Sequence, residues 1–121
     1  MLLDTCVAID FLRGVGPATN FVGSLAEKPS ISVVTVAEVF AGLKSQREER
    51  EARAFFDNCV LLPLLPRIAE AAGEYMRHLR GSHGVELGDA LIAATAEHHG
   101  LELATLNVKH FPMFKKLKAA Y

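Results

Sequence analysis

The spacing of hydrophobic positions changes repeatedly along this chain, and each change predicts an element boundary. Leu2 and Leu3 form a short apolar run that stops at Asp4, and from Val7 to Leu12 apolar residues recur at helical spacing until Gly14 and Gly16 break the pattern. The prediction is a very short buried strand, an acid, then a helix. Past Pro17, Phe21, Val22 and Leu25 fall three to four residues apart within Ala18 to Ala26, as one face of an amphipathic helix does, and Lys28 and Pro29 close it. Ile31, Val33 and Val34 are β-branched and predict a second strand, after which Val39, Phe40 and Leu43 return to helical spacing.

Gln46 to Asn58 interleaves Arg with Glu, and its apolar residues are confined to Ala52, Phe55 and Phe56, so it predicts a helix with a solvated charged face. Val60 to Leu65 predicts a third strand, which Pro63 assigns to an edge or a break because proline lacks a ladder donor. Pro66 suits the first turn of a long helix through Leu79. Gly81 to Gly84 is a loop. Leu87 to His99 then predicts a helix of small residues, stopped by Gly100, and Leu101 to Thr105 a last strand before Asn107 and a break at Pro112.

Strands alternating with helices predict an α/β fold, because parallel strands need crossover helices that cover both faces of the sheet. The expectation is a three-layer α/β/α sandwich with a mostly parallel sheet of about four or five short strands. Residues 1–121 are expected to form one domain.

Composition narrows the function. Hydrophobic residues make up 50% of the chain and mean hydropathy is +0.22, so some apolar surface is expected to be covered by another subunit or partner. With 13 Lys and Arg against 14 Asp and Glu, the formal net charge of −1 excludes a strongly basic chain that binds duplex by charge alone. No apolar run reaches the ~18 residues of a membrane span, and no signal-peptide pattern opens the chain, so the expected location is cytoplasmic, with no membrane partner. Cys6 and Cys59 have no metal-binding spacing and read as free thiols; Cys6 also lies beside an acid, where redox sensitivity is the alternative.

Asp4, Glu38 and Asp89 each stand where a strand-like or turn-like segment gives way to a helix. Acids at several such junctions of one parallel sheet converge on one edge of it. Hard divalent cations such as Mg²⁺ or Mn²⁺ need only one or two direct carboxylates, which fits Asp4 and Asp89 as ligands, and the reaction class is phosphodiester hydrolysis. Structural readings stand beside this one. Thr35-x-x-Glu38 has the form of a capping box, and Asp89 suits the start of its helix.

The residues also carry a resemblance. Leu2-Leu3-Asp4-Thr5, Val36-Ala37-Glu38-Val39, the run from Gly88-Asp89 to Ala96, and Thr105-Leu106-Asn107 through His110-Phe111 resemble the PIN-domain nucleases, with VapC-type toxins the nearest likeness. The resemblance implies a PIN-like fold and a metal-dependent endoribonuclease, the toxin of a VapBC-type pair, with its acidic pocket at the carboxyl ends of the sheet. It also implies a homodimer, an RNA substrate and a cognate VapB-like antitoxin, expected to press an Arg into the pocket in place of the cation. By matching position, Asp4, Glu38 and Asp89 take the principal acidic roles, and Thr105 orients water or a neighbouring acid.

Two residues depart from that pattern. Asn107 lies where many relatives carry a fourth acid, and it joins the predicted site as a neutral amide; Cys6 follows Asp-Thr where relatives commonly have Asn. One firm cation site is therefore expected. Glu86 is an outer-shell candidate. Lys109, Lys115, Lys116 and Lys118 are expected to border the pocket and hold phosphates, in preference to Lys44, Arg47, Arg50 and Arg53 on the mixed-charge helix. No histidine is assigned as a base.

Two other functions fit strand-end acids. One is a catalytically weakened module of the same fold that serves mainly to bind a protein. The other is a phosphoacceptor domain, but that needs paired early acids and a late Lys, whereas Asp4 stands alone and Asp89 opens a helix.

Overall fold

The computed structural model describes residues 1–79 and 81–121. Four strands, β1 (Leu2–Leu3), β2 (Ser30–Ser32), β3 (Val60–Leu62) and β4 (Leu103–Ala104), pair in parallel in the order β3-β2-β1-β4. Leu2 pairs with both Ser30 and Leu103, and Ser30 with Val60. The helices between them are α1 (Thr5–Leu12), α2 (Gly16–Gly23), α3 (Val33–Ala41), α4 (Gln46–Asp57), α5 (Pro66–Leu79) and α6 (Leu87–His99), with a 3₁₀ turn at Val108–His110.

The period-2 alternation of strand side chains separates two cores. Leu3, Ile31 and Ala104 point to one face, where Val7, Ala8, Val39, Ala52, Phe55 and Phe56 of α1, α3 and α4 cover them. Leu2 and Leu103 point to the other, against Ile92, Ala93 and Ala96 of α6 and the buried Phe111. Ile68 and Ala72 of α5 then pack on Ala90 and Ala94 of α6 as the outer part of that layer. This is the expected three-layer sandwich. The chain steps outward from β1 to β3 with its helices on one face, then reverses past β1 to β4 with α5 and α6 on the other, as right-handed crossovers require. The strand order therefore switches between β1 and β4, the place where open α/β sheets form a crevice beyond the carboxyl ends of their strands.

Several boundaries differ from the periodicity. Helix α3 starts at Val33, inside the stretch whose β-branched residues predict strand, because Ser32 caps it: the Ser32 hydroxyl accepts the Val34 N–H at 3.1 Å. Two β-branched valines thus become helical behind a cap, with Thr35 and Val39 of the same helix buried, which outweighs their strand preference. Thr35-x-x-Glu38 is consequently no capping box. Thr35 lies inside the helix, fully buried, and a capping box forms at Glu86 and Asp89 instead. Helix α2 ends at Gly23 rather than Ala26, and β4 keeps only two of its five expected residues. Pro63 falls just past the edge strand β3, and Gly100 ends α6 in the left-handed conformation (φ 62°) that glycine adopts without a Cβ clash.

Candidate active site

Asp4 leaves the end of β1 and caps α1, and the carboxylate, only 3% exposed, is surrounded by donors. Its Oδ1 accepts the Thr5 N–H at 2.8 Å; its Oδ2 accepts the Thr105 hydroxyl at 2.6 Å and the Cys6 thiol at 3.3 Å. Thr105 follows β4, so the shortest of these bonds crosses the switch point between β1 and β4. The Thr105 oxygen in turn accepts the Asn107 N–H at 2.9 Å.

Glu38 comes to the same place from α3. Its Oε1 accepts the Thr5 hydroxyl at 2.7 Å, and because Thr5 has one hydroxyl proton, the 2.9 Å contact with Thr35 is one in which Thr35 donates. Thr5 therefore touches two acids, donating its N–H to Asp4 and its O–H to Glu38. The other Glu38 oxygen, Oε2, lies over Gly88, where a Cβ would stand 3.3 Å from it. Glycine at this position admits Glu38 to the start of α6.

Asp89 is the third residue of α6. Its Oδ2 accepts the Glu86 N–H at 3.0 Å, which caps the helix, and stands 3.6 Å from His110 Nδ1. Capping and pocket membership coexist in one carboxylate. Burial raises the Asp89 carboxyl above its ordinary range, and the charges of Asp4 and Glu86 add to that, against the Glu86 N–H and His110, which lower it. Burial, and then the Asp4 charge, also push the Cys6 thiol up, so the sulfur keeps its proton and donates.

The three predicted acids are thus brought together, but only Asp4 and Asp89 stand at the start of a helix: Glu38 is the sixth residue of α3, because the junction predicted there falls at Ser32–Val33. Asn107 is joined to them through its backbone, with its side chain exposed. Of the C-terminal lysines, Lys115, Lys116 and Lys118 line a groove along β4 with Met1, Leu101, Leu103, Ala104 and Ala120, and the Ala120 N–H donates to the Thr105 carbonyl at 2.9 Å; Lys109, next to His110, is the lysine of that set nearest in sequence to the pocket. Arg47 and Arg53 pair with Glu51 and Glu49 on the exposed face of α4, at 3.0 and 3.8 Å, as the charge pattern predicts. Lys44 and Arg13, by contrast, line a cleft of about 290 Å³ that includes Glu38.

Sequence reasoning missed Thr5 as the link between two acids, Gly88 as the space for one of them, and His110 as a neighbour of the third. The only local signals were Thr5 directly after Asp4 and Gly88 directly before Asp89.

Among the described residues, no group of three or more His, Cys, Asp and Glu side chains is placed to hold a metal ion by itself. Asp4 and Asp89 nevertheless present carboxylate oxygens from adjoining segments, since Thr5, next to Asp4, bonds Glu38, and Glu38 lies against Gly88, next to Asp89; oxygen is the donor a hard cation takes. Two carboxylates with the remaining positions on water and substrate suit Mg²⁺ or Mn²⁺.

The family description that matches the chain is the PIN domain, over residues 1–117. Ribonuclease VapC10 of Mycobacterium tuberculosis is 44% identical over 124 aligned residues, covering 100% of this chain and 92% of that protein. Ribonuclease VapC19 of the same organism is 37% identical, covering 99% and 98%. Among solved structures, a toxin-antitoxin complex from Klebsiella pneumoniae contains a chain that superposes with a TM-score of 0.85 at 29% identity, covering 99% of this chain and 97% of that one.

Proposed function

Given that this chain belongs to the PIN-domain family, we propose that it is a metal-dependent endoribonuclease, the toxin of a VapBC-type toxin–antitoxin pair. The observation that carries the reading is the meeting of Asp4, Glu38 and Asp89 at the carboxyl edge of the sheet, linked through Thr5 and Gly88. The relatives named ribonuclease support RNA as the substrate.

In this reading Asp4 and Asp89 hold one Mg²⁺ or Mn²⁺. When bound, the cation neutralises charge developing on the scissile phosphate and eases loss of a proton from the attacking water. The protein's own groups supply order. Thr105 fixes Asp4, the Glu86 N–H fixes Asp89, and the Thr5 hydroxyl fixes Glu38 through Oε1. Glu38 Oε2 is left to accept the proton of the attacking water, since a carboxylate within reach of water acts as a general base. The Asn107 amide donates to a phosphate oxygen, and Lys109, with Arg13 and Lys44 along the cleft, draws the RNA backbone in.

The antitoxin and a second copy of the chain are the proposed protein partners, and the cytoplasm the proposed location. Val60, Leu61, Leu64 and Leu87, at 42–56% exposure, are apolar side chains that such partners would cover. The similarity to a chain from a toxin-antitoxin complex supports the first partner. Among the described residues no helix is long and apolar enough to cross a membrane.

The test is cleavage of structured RNA by the purified chain with Mg²⁺ or Mn²⁺. Cleavage should stop with EDTA and return with added cation. An Asp89→Asn protein that cuts as fast as wild type would overturn the assignment.

A further inference from the structure

Each carboxylate oxygen has two lone pairs, so the bonds around Asp4 show how much of it remains for a ligand. Oδ2 receives the Thr105 hydroxyl at 2.6 Å and the Cys6 thiol at 3.3 Å. Both of its lone pairs are engaged from within the protein. Oδ1 receives the Thr5 N–H at 2.8 Å and keeps one.

Cys6 is itself held in place. Its sulfur accepts the Leu106 N–H at 3.5 Å and lies 3.6 Å from Thr105 Oγ1, so one thiol connects the first turn of α1 to the segment after β4. Thr105 cannot take over the second bond to Oδ2, because its single proton is already given to that oxygen.

We propose that Cys6 is a positioning residue of the acid pocket: its thiol completes the occupation of Asp4 Oδ2 and leaves Oδ1 as the one Asp4 oxygen that receives a divalent cation. This role rests on the reading of the pocket as a cation site. Without the S–H, Oδ2 is held by the Thr105 hydroxyl alone and has a lone pair open, so a cation must then fix an arrangement that the wild-type protein holds more firmly. Groups behind a metal ligand act in this way, by orienting it before the metal arrives.

The experiment is calorimetric titration of the full chain with Mn²⁺ in the absence of RNA, for wild type, Cys6→Ala and Cys6→Ser. Loss of an outer hydrogen bond should weaken Mn²⁺ binding by about 10-fold in Cys6→Ala. Cys6→Ser, which keeps a donor, should recover most of it. Equal affinity in wild type and Cys6→Ala overturns the role, and so does an equal loss in both variants. Crystals soaked in Mn²⁺ should show the cation on Oδ1, and coordination through Oδ2 also overturns it.

An infrared measurement stands apart from metal and from variants at position 6. In metal-free protein carrying Cys59→Ser, the Cys6 S–H stretch should lie below that of an unbonded thiol; a band at the unbonded position removes the hydrogen bond on which the role depends. A wild-type chain that binds no Mn²⁺ overturns the cation-site reading and this role with it, whereas Mn²⁺ binding without RNA cleavage overturns only the nuclease.

Discussion

Thr105 donates a 2.6 Å hydrogen bond to Asp4 across 101 residues of chain, and both groups are buried. The bond joins the ends of β1 and β4, at the point where the strand order reverses, and gives the pocket its fixed reference. A hydroxyl serving a buried carboxylate is expected to matter to stability and to chemistry together.

Thr105→Val keeps the shape and removes the donor. Hydrogen bonds to charged groups contribute about 1.5–3 kcal/mol, so urea denaturation should show a loss of that order. Cleavage should fall by about 10- to 100-fold, as when a ligand's outer partner is removed. Thr105→Ser should retain most of both; a Val variant as active as wild type would contradict the role.

Gly88→Ala separates stability from activity. Its Cβ would stand 3.3 Å from Glu38 Oε2, and a flexible carboxylate can withdraw where backbone could not. The fold should gain up to about 0.5–1 kcal/mol, since alanine loses less entropy than glycine in a helix. Displacing Glu38 should slow cleavage roughly 10-fold, and thermal melting run beside single-turnover kinetics reads the two effects apart.

Asp89 should make the metal-free protein sensitive to pH. Burial raises its carboxyl in the folded state, so folding favours the protonated form. That contribution is fully present below the unfolded value and is lost as pH rises through the raised one. In EDTA, Asp89→Asn should therefore melt above wild type at neutral pH, and the difference should close as the buffer is acidified. A gap that widened on acidification would have the wrong sign.

Tyr121 offers a contrast away from the pocket. Its hydroxyl donates to Asp10 Oδ2 at 2.7 Å and its ring packs on Phe21, tying the end of the chain to α1 and α2. Tyr121→Phe should lower stability by about 1 kcal/mol while RNA cleavage stays unchanged.

Much of the fold is legible in the spacing of apolar residues, because helices and buried strands impose different periods. Helix α6 is the clearest case: its run of small apolar residues and the stop at Gly100 match the structure from Leu87 to His99. The entry to α3 is the counterexample. Val33 and Val34 look like strand, but the Ser32 cap, with Thr35 and Val39 of the same helix buried, makes them helix although Val33 itself is exposed. Local propensities of this size are outweighed by tertiary contacts.

The sequence by itself determined that Asp4 and Asp89 stand where helices begin, because a junction is a local event marked by a change of period. Glu38, read the same way, is instead the sixth residue of α3 and reaches the pocket from inside the helix. What joins them was decided by the tertiary structure, since Thr105 reaches Asp4, Thr5 reaches Glu38 and Glu38 reaches Gly88 only after the strands pair in the order β3-β2-β1-β4. The end of the chain shows the same limit from the other side. Ala120 returns to donate its N–H to the Thr105 carbonyl at 2.9 Å, lining the groove along β4 with Lys115, Lys116 and Lys118. Nearness along a chain is set by covalent bonds, whereas nearness in a pocket is set by which strands lie side by side.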